Sequence, residues 1–421
     1  MKTDQIQKVH KDWYKLDLSA IVYPTLQRRD FSSVYRLSVL LKEDIDPEIL
    51  QRAVNLTMPR FPTYKAAIRK GVFWRYLEPN DRPGPFVQED VKNPCQPMHF
   101  KGNNRYLVRI YYYRNRIALE AHHSLGDGTG GMCVLQTLTA TYLRLKGHSE
   151  IENGGFVLDI LGIPDPGELE DAYMKYANAK VCPPRPGEKT YRVRGTKEPF
   201  YTLNIIDGIM SVSEVMQVAK SYNATITEYL NSVLLYALMR KQESEWHLKL
   251  RPVKIAMPVN LRRFFPSRTL RNFITMIYPG IDPRLGEYTF EEIVTQVHNY
   301  MRYYLNEKLL RGDITTNAET QRNPFIRIVP LFIKDLVVRQ FYTKIQDKNS
   351  SAGLTNMGAL KVPETMKPYI ERFDIYMGQP FSTRTNCAIA SFEDILTINF
   401  ASSIAETDVE RLFFRKLVQD G

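Results

Sequence analysis

The sequence predicts an α/β chain of two domains, with mixed or antiparallel sheets flanked by helices. Three observations carry this prediction. First, at 421 residues the chain is longer than the roughly 250 to 300 residues over which a single hydrophobic core keeps growing. Second, β-branched and aromatic runs are mixed with helix-periodic ones, yet several strands follow each other across short turns. A regular β-α-β alternation is absent, which excludes a purely parallel sheet. Third, glycines and prolines gather between Gly147 and Glu198 while apolar periodicity weakens, as at an interdomain connection. The domains are placed at 1–165 and 199–421, with 166–198 between them.

In chain order, Trp13 to Pro24 is short, apolar and closed by proline, so it is irregular or a brief helix. Ser33 to Leu41 is a β-branched, aromatic strand. Asp46-Pro47-Glu48 then opens a helix through Ile49, Ala53, Val54 and Met58, since proline and an acid suit the unpaired amides of a first turn. Strands follow at Tyr64–Ile68 and Val72–Leu77, joined through Gly71, and Pro79 to Pro97 is loop. Arg105–Tyr113 and Arg116–Ala121 form a hairpin across Arg114-Asn115. From Met132 to Leu145 the apolar residues recur with helical spacing until Gly147 stops them.

In the second half, Pro199–Ile206 reads as a strand and Ser211–Lys220 as a helix. Thr225–Lys241 is a buried helix with a capping box of Thr225 and Glu228. Val253–Val259 and Arg271–Tyr278 are strands, and Thr289–Leu310 and Phe325–Tyr342 are helices. Strands near 351–355, 372–376, 385–391 and 395–402 precede a last helix over 406–419.

Composition narrows the function classes. Apolar residues at 43% and charged residues at 24% describe a chain with a well-filled interior. No apolar run reaches the roughly 18 to 20 residues needed to span a bilayer, and Met1-Lys2-Thr3-Asp4-Gln5 lacks the apolar core of a signal peptide, so a cytoplasmic protein is expected. Cys95, Cys133, Cys182 and Cys387 include no C-x-x-C pair, which points to reduced thiols and to neither a disulfide framework nor a zinc ribbon. The net charge of +11 is spread along the chain without an arginine-rich arm. It reads as a solvated basic surface or as one suited to an anionic small ligand, and no nucleic-acid partner is expected.

The chemistry concentrates at Ala121-His122-His123-Ser124-Leu125-Gly126-Asp127-Gly128-Thr129-Gly130-Gly131, between the end of a strand and the start of a helix. His123 and Asp127 could share a metal ion if they lay one helical turn apart. The glycines make a helix here costly and no third ligand stands at recognisable spacing, so no metal is expected. A histidine at the end of a buried strand can instead serve as a general base, a role typically worth ~10² to 10⁴ in rate. The chain has no G-x-S-x-G elbow and no cysteine nucleophile signature, so such a base would act directly on an acceptor. The competing reading is a turn with two merely packed histidines.

The run His122-His123-Ser124-Leu125-Gly126-Asp127-Gly128 fits the HHxxxDG signature of the chloramphenicol-acetyltransferase-like superfamily without a mismatch. Two further segments resemble that superfamily's alcohol acetyltransferase and wax synthase branches: Met257-Pro258-Val259-Asn260-Leu261-Arg262 with Arg271-Asn272-Phe273, and Leu354-Thr355-Asn356-Met357-Gly358. The resemblance implies two acetyltransferase-like domains with an active-site tunnel at their interface. It implies that His123 is the base, that Asp127 turns away to hold the loop through an arginine, and that Gly128 keeps the tunnel open. His122 would shape the turn. Arg262 is the candidate partner of Asp127, with Arg36, Arg109 and Arg263 as alternatives and a surface guanidinium as the plain reading. For Asn260, Asn272 and Asn356, turn capping and a direct role at the site stand level.

The D-F-G-W-G stretch of the plant branch and the N-V-P-G-P of wax synthases are absent. The resemblance therefore implies a stand-alone, acyl-CoA-dependent O-acyltransferase of the alcohol acetyltransferase kind, working on a small alcohol or amine as a monomer. A free-standing condensation domain taking its acyl group from an acyl carrier protein, and an inactive binding or scaffolding module, are the alternatives.

Overall fold

The computed structural model describes residues 13–27, 31–180, 188–245, 249–345, 349–378 and 383–421. The strands are β1 (Tyr14–Lys15), β2 (Val34–Leu41), β3 (Ala66–Lys70), β4 (Arg75–Pro79), β5 (Val87–Glu89), β6 (Val108–Tyr113), β7 (Arg116–His122), β8 (Asn204–Ser211), β9 (Val253–Asn260), β10 (Ile274–Ile277), β11 (Gly280–Ile281), β12 (Ala352–Ala359), β13 (Ile370–Met377), β14 (Thr385–Phe392) and β15 (Ile395–Ser402). The helices are α1 (Tyr23–Leu26), α2 (Pro47–Thr57), α3 (Gly128–Leu145), α4 (Ala172–Tyr176), α5 (Val212–Ser221), α6 (Ile226–Ser244), α7 (Phe290–Tyr304), α8 (Glu307–Arg322), α9 (Pro324–Ile328), α10 (Leu331–Ile345) and α11 (Asp408–Asp420).

Two large sheets organise the chain. The first has the order β13-β2-β7-β6-β5, and the second β10-β9-β12-β14-β15-β8 with β11 also paired to β9. The pairing is mixed, since β12 runs parallel to β9 and β14 while β15 runs antiparallel to β14 and β8. β1, β4 and β3 form a small third sheet. One apolar core lies between the first sheet and α2 and α3, and a second packs α6, α7 and α11 on the second sheet.

The chain does not keep its two halves apart. β13 leaves the second half and pairs antiparallel with β2 over Tyr35 to Leu41. From there it reaches back to the second sheet, with the Ile375 amide donating to Asn399 Oδ1 at 3.2 Å and Thr397 Oγ1 donating to the Phe373 carbonyl at 2.8 Å. Local pattern could not foresee this, because both partners of a β pair must be known before either is placed.

Several elements differ from expectation. α3 starts at Gly128, four residues before the predicted Met132, because Asp127 caps it and the glycines of its first turn lie against neighbouring chain. It is buried continuously from Gly130 to Leu143 and so is not amphipathic. The strand expected at 199–206 runs over 204–211, after a turn in which Tyr201 takes φ 69°. The helix expected at 289–310 breaks after Tyr304, where Asn306 caps a new helix through the Leu309 amide. The helix expected at 325–342 is two, split just before Leu331 by Pro330, which lacks the amide a helix needs. The 79–97 loop holds β5 and the connecting segment holds α4. Cys182 and the prolines at 183, 184 and 186 lie outside the described residues. Cys95, Cys133 and Cys387 are buried and unbridged.

Candidate active site

β7 delivers the two histidines to the middle of the first sheet, and α3 begins six residues after His122. The corner between them is held by Asp127. As N-cap of α3 it accepts from the amides of Thr129 and Gly130 through Oδ1, at 3.1 and 3.2 Å. Its Oδ2 accepts from the Phe273 amide at 2.9 Å and from Arg262 Nη1 at 2.8 Å, while Arg262 Nη2 reaches Oδ1 at 3.3 Å. A carboxylate used this fully is a strut.

Arg262 is fixed in turn. It donates to the carbonyls of Thr269 and Arg271 at 3.0 and 2.6 Å and to Asn260 Oδ1 at 3.2 Å. Arg36 and Arg109 are bound elsewhere, to Asp90 and Glu120 and to Glu120 respectively. Asn260 caps the turn after β9 through the Arg262 amide and donates to Thr129 Oγ1 at 3.2 Å. Asp127 and Thr129 come from the first half of the chain, Asn260, Arg262 and Phe273 from the second, so the two halves meet at this corner.

His123 lies beside it. Its amide donates to the Ser33 carbonyl at 2.8 Å and its carbonyl accepts from Asn272 Nδ2 at 2.8 Å. The imidazole is sandwiched by aromatic rings: Tyr23 stacks at 4.8 Å between centroids and Tyr35 is tilted against it at 4.6 Å. Nδ1 is buried without a partner in hydrogen-bond geometry. Burial lowers the imidazole to about 4, opposed by the Asp127 charge, the nearby Gly126 backbone and Asn272. The ring is therefore neutral at physiological pH.

His122 differs. It is fully buried, its Nδ1 accepts from the Ser124 amide at 3.2 Å, and its ring meets Phe100 edge-on at 5.4 Å. Burial and the neighbouring His123 lower it to about 3.

The glycines serve close approach. A Cβ on Gly130 would stand 1.9 Å from the Leu270 carbonyl oxygen, one on Gly126 2.4 Å from the same atom, and one on Gly131 2.6 Å from the Tyr35 hydroxyl. At Gly128 a Cβ would meet Met357 Sδ of β12 at 3.0 Å. β12 thus brings its Asn356-Met357-Gly358 segment to the same corner. Asn356 itself donates through Nδ2 to Thr227 Oγ1 at 2.9 Å and accepts from the Gly358 amide at 2.7 Å, which holds a bulge where Gly358 takes φ 71°.

Sequence reasoning missed Asp17, Tyr23, Tyr35 and Tyr64. Asp17 is fully buried, faces Arg271 at 3.6 Å and accepts from Asn272 Nδ2 at 3.2 and 3.3 Å, so it orients the amide that holds His123. Tyr35 donates to the Asp127 carbonyl at 3.1 Å and shares a 3.3 Å contact with the Tyr64 hydroxyl. Nothing in local spacing marks these residues, because each reaches the corner from a distant element. Among the described residues no group of three or more His, Cys, Asp or Glu side chains is placed to hold a metal ion.

With this geometry in hand, comparison with solved structures identifies the architecture. The chain superposes on polyketide synthase associated protein 5 from Mycobacterium tuberculosis with a TM-score of 0.59 and 13% identity, covering 96% of each chain. It superposes equally on a trichothecene 15-O-acetyltransferase from Fusarium sporotrichioides, with TM-score 0.59, 13% identity and coverage of 97% and 94%. A mutant starter condensation domain of rhizomide synthetase, in complex with C8-CoA and Leu-SNAC, gives TM-score 0.60 and 10% identity over 99% and 96%. The chain has the chloramphenicol-acetyltransferase-like fold. At these identities the likeness is one of fold. No family model matches the sequence, and no curated protein matches it.

Proposed function

We propose that this chain is an acyltransferase that moves an acyl group from acyl-CoA to the hydroxyl, or amine, of a small acceptor, with His123 as general base. The observation that carries the reading is the state of His123: a neutral imidazole, clamped between Tyr23 and Tyr35, beside a carboxylate that is wholly committed to the loop. Acetyltransferases and condensation domains of the same fold support it.

Nδ1 is buried, and the acceptor proton is assigned to the other ring nitrogen, Nε2. The acceptor oxygen attacks the thioester carbonyl as its proton passes to His123. The tetrahedral oxyanion then needs a donor. The Gly128 amide is not among those Asp127 occupies and is the first candidate. Asn356 is the second, although its Nδ2 already donates to Thr227. Collapse breaks the C–S bond, and the CoA thiolate takes the proton back from His123, leaving ester and free thiol. As His123 becomes positive the Asp127 charge favours it. His122 is too deeply buried to share the transfer and packs the turn.

The test is a thiol-release assay over short, medium and long acyl-CoAs with alcohols and amines, with acyl carrier protein as the alternative donor. His123→Ala is expected to keep its circular dichroism spectrum and lose the ~10² to 10⁴ that a general base supplies. Undiminished turnover in that folded variant would sink the mechanism. Turnover with the carrier protein and none with CoA would reassign the donor.

A further inference from the structure

Helix α10 is inside out. Phe332, Ile333, Leu336 and Val337, spaced i, i+1, i+4, i+5, form one face, and that face is in solvent: Phe332 is 68% exposed, Leu336 61% and Val337 60%. Three of its polar side chains are bonded to the rest of the chain. Asp335 accepts from Arg75 at 2.6 and 2.8 Å and from Thr25 Oγ1 at 2.8 Å. Lys334 Nζ donates to the Phe73 carbonyl and Arg339 Nε to the Thr25 carbonyl, both at 2.9 Å. A helix that buries only its apolar side against the core would show the reverse arrangement.

The apolar face extends beyond this helix. Phe325 and Ile328 of α9 are exposed beside it, and so is the β3–β4 hairpin tip of Val72, Phe73 and Trp74, which the Leu331 amide ties to α10 through the Val72 carbonyl at 2.9 Å. So large a contiguous apolar surface marks an interaction site. Its charges indicate the partner. Lys70, Arg322 and Arg327 are exposed around it and form no ion pair among the described residues, while the carboxylate of Asp335 is neutralised by Arg75. Aromatic and aliphatic side chains flanked by cations that no carboxylate neutralises are what a helix lying in an anionic bilayer surface presents. A two-fold dimer through this face would instead set each cationic rim near its own copy, in a chain of net charge +11.

We propose that α9, α10 and the β3–β4 hairpin tip form a docking face for an anionic lipid bilayer, on which the protein lies without spanning it. No helix among the described residues is long and apolar enough to cross a membrane. The opposite, polar side of the helix is linked to the candidate site through α1. α10 is anchored on Thr25 of α1, two residues from Tyr23, whose ring stacks on His123. The docking itself does not depend on the proposed acyl transfer.

The test is flotation of the full chain with vesicles of phosphatidylcholine alone and of phosphatidylcholine with phosphatidylglycerol, without substrate. Binding to the anionic vesicles is expected, weakened by added salt. The double variant Phe332→Glu, Leu336→Glu should lose roughly tenfold or more in affinity at an unchanged melting temperature, since both side chains are exposed. The proposal is overturned if the wild type floats with neither vesicle, or if the folded double variant floats as well as the wild type. It is also overturned if sedimentation velocity shows a dimer that the variant dissolves, which would give the face to a second copy. Loss of turnover in His123→Ala with flotation intact would separate this inference from the catalytic one.

Discussion

Asp127 shows at the scale of one residue how a catalytic-looking side chain becomes a structural one. Both its oxygens are filled by backbone amides and by the Arg262 guanidinium, with the carboxylate only 3% exposed. Neither oxygen is left to orient an imidazole. Asp127→Asn keeps the size but replaces one acceptor oxygen with an amide donor and leaves the guanidinium without its counter-charge in a nearly closed place. A loss of about 3 kcal/mol in urea-unfolding free energy is expected. An equally stable variant would remove Asp127 from its structural role. His123 and Asp127 were both visible in the sequence, because the signature is contiguous. Asp17 and Tyr35 were not, because their part depends on which distant backbone folds against the corner.

At the scale of elements, the glycines at the start of α3 reverse an ordinary rule. Within a helix, Gly→Ala usually stabilises by about 0.5 to 1 kcal/mol. At Gly130 the added methyl would lie 1.9 Å from a carbonyl oxygen of the second half of the chain, so the backbone must move. Gly130→Ala is expected to destabilise by about 1 to 3 kcal/mol, measured by urea unfolding. Gly147→Ala, with nothing near its Cβ but a φ of 118°, is a useful control for backbone strain without a clash. The two capped helices α2 and α6 were readable because caps are local: Asp46 accepts from the Glu48 and Ile49 amides, and Thr225 and Glu228 close a reciprocal box. The start of α3 was misread for the complementary reason. Its glycines are disfavoured locally and required by contact.

At the scale of the whole molecule, the two buried histidines tie the fold to pH. In the unfolded chain each titrates near 6.5, and in the fold His122 is lowered to about 3 and His123 to about 4. The unfolded state therefore binds the extra protons first, and stability falls as pH drops below 6.5 until the folded values are approached. By pH 5 His122 alone contributes about 2 kcal/mol of that loss. Asp171, pushed up to about 6 by burial, works in the opposite direction over part of this range, so the comparison must be between variants. His122→Asn, whose Oδ1 can accept from the Ser124 amide, should lose about 2 kcal/mol less than the wild type between pH 7 and pH 5. Equal losses would place the His122 ring in a wetter environment than its burial indicates. Because β13 stitches the first sheet to the second, a single transition is expected by circular dichroism and tryptophan fluorescence alike.

The sequence by itself determined the α/β class, most elements with strong periodicity or local caps, and the corner carrying His122, His123 and Asp127. These are short-range properties: side-chain period, turn chemistry and a contiguous motif. Only the tertiary structure decided that Arg262 reaches Asp127, that Tyr23 and Tyr35 clamp His123, that β13 returns to the first sheet, and that α10 turns its apolar side outward. Each depends on which distant surfaces meet, and a free energy of contact between elements far apart in sequence leaves no periodic trace in either of them.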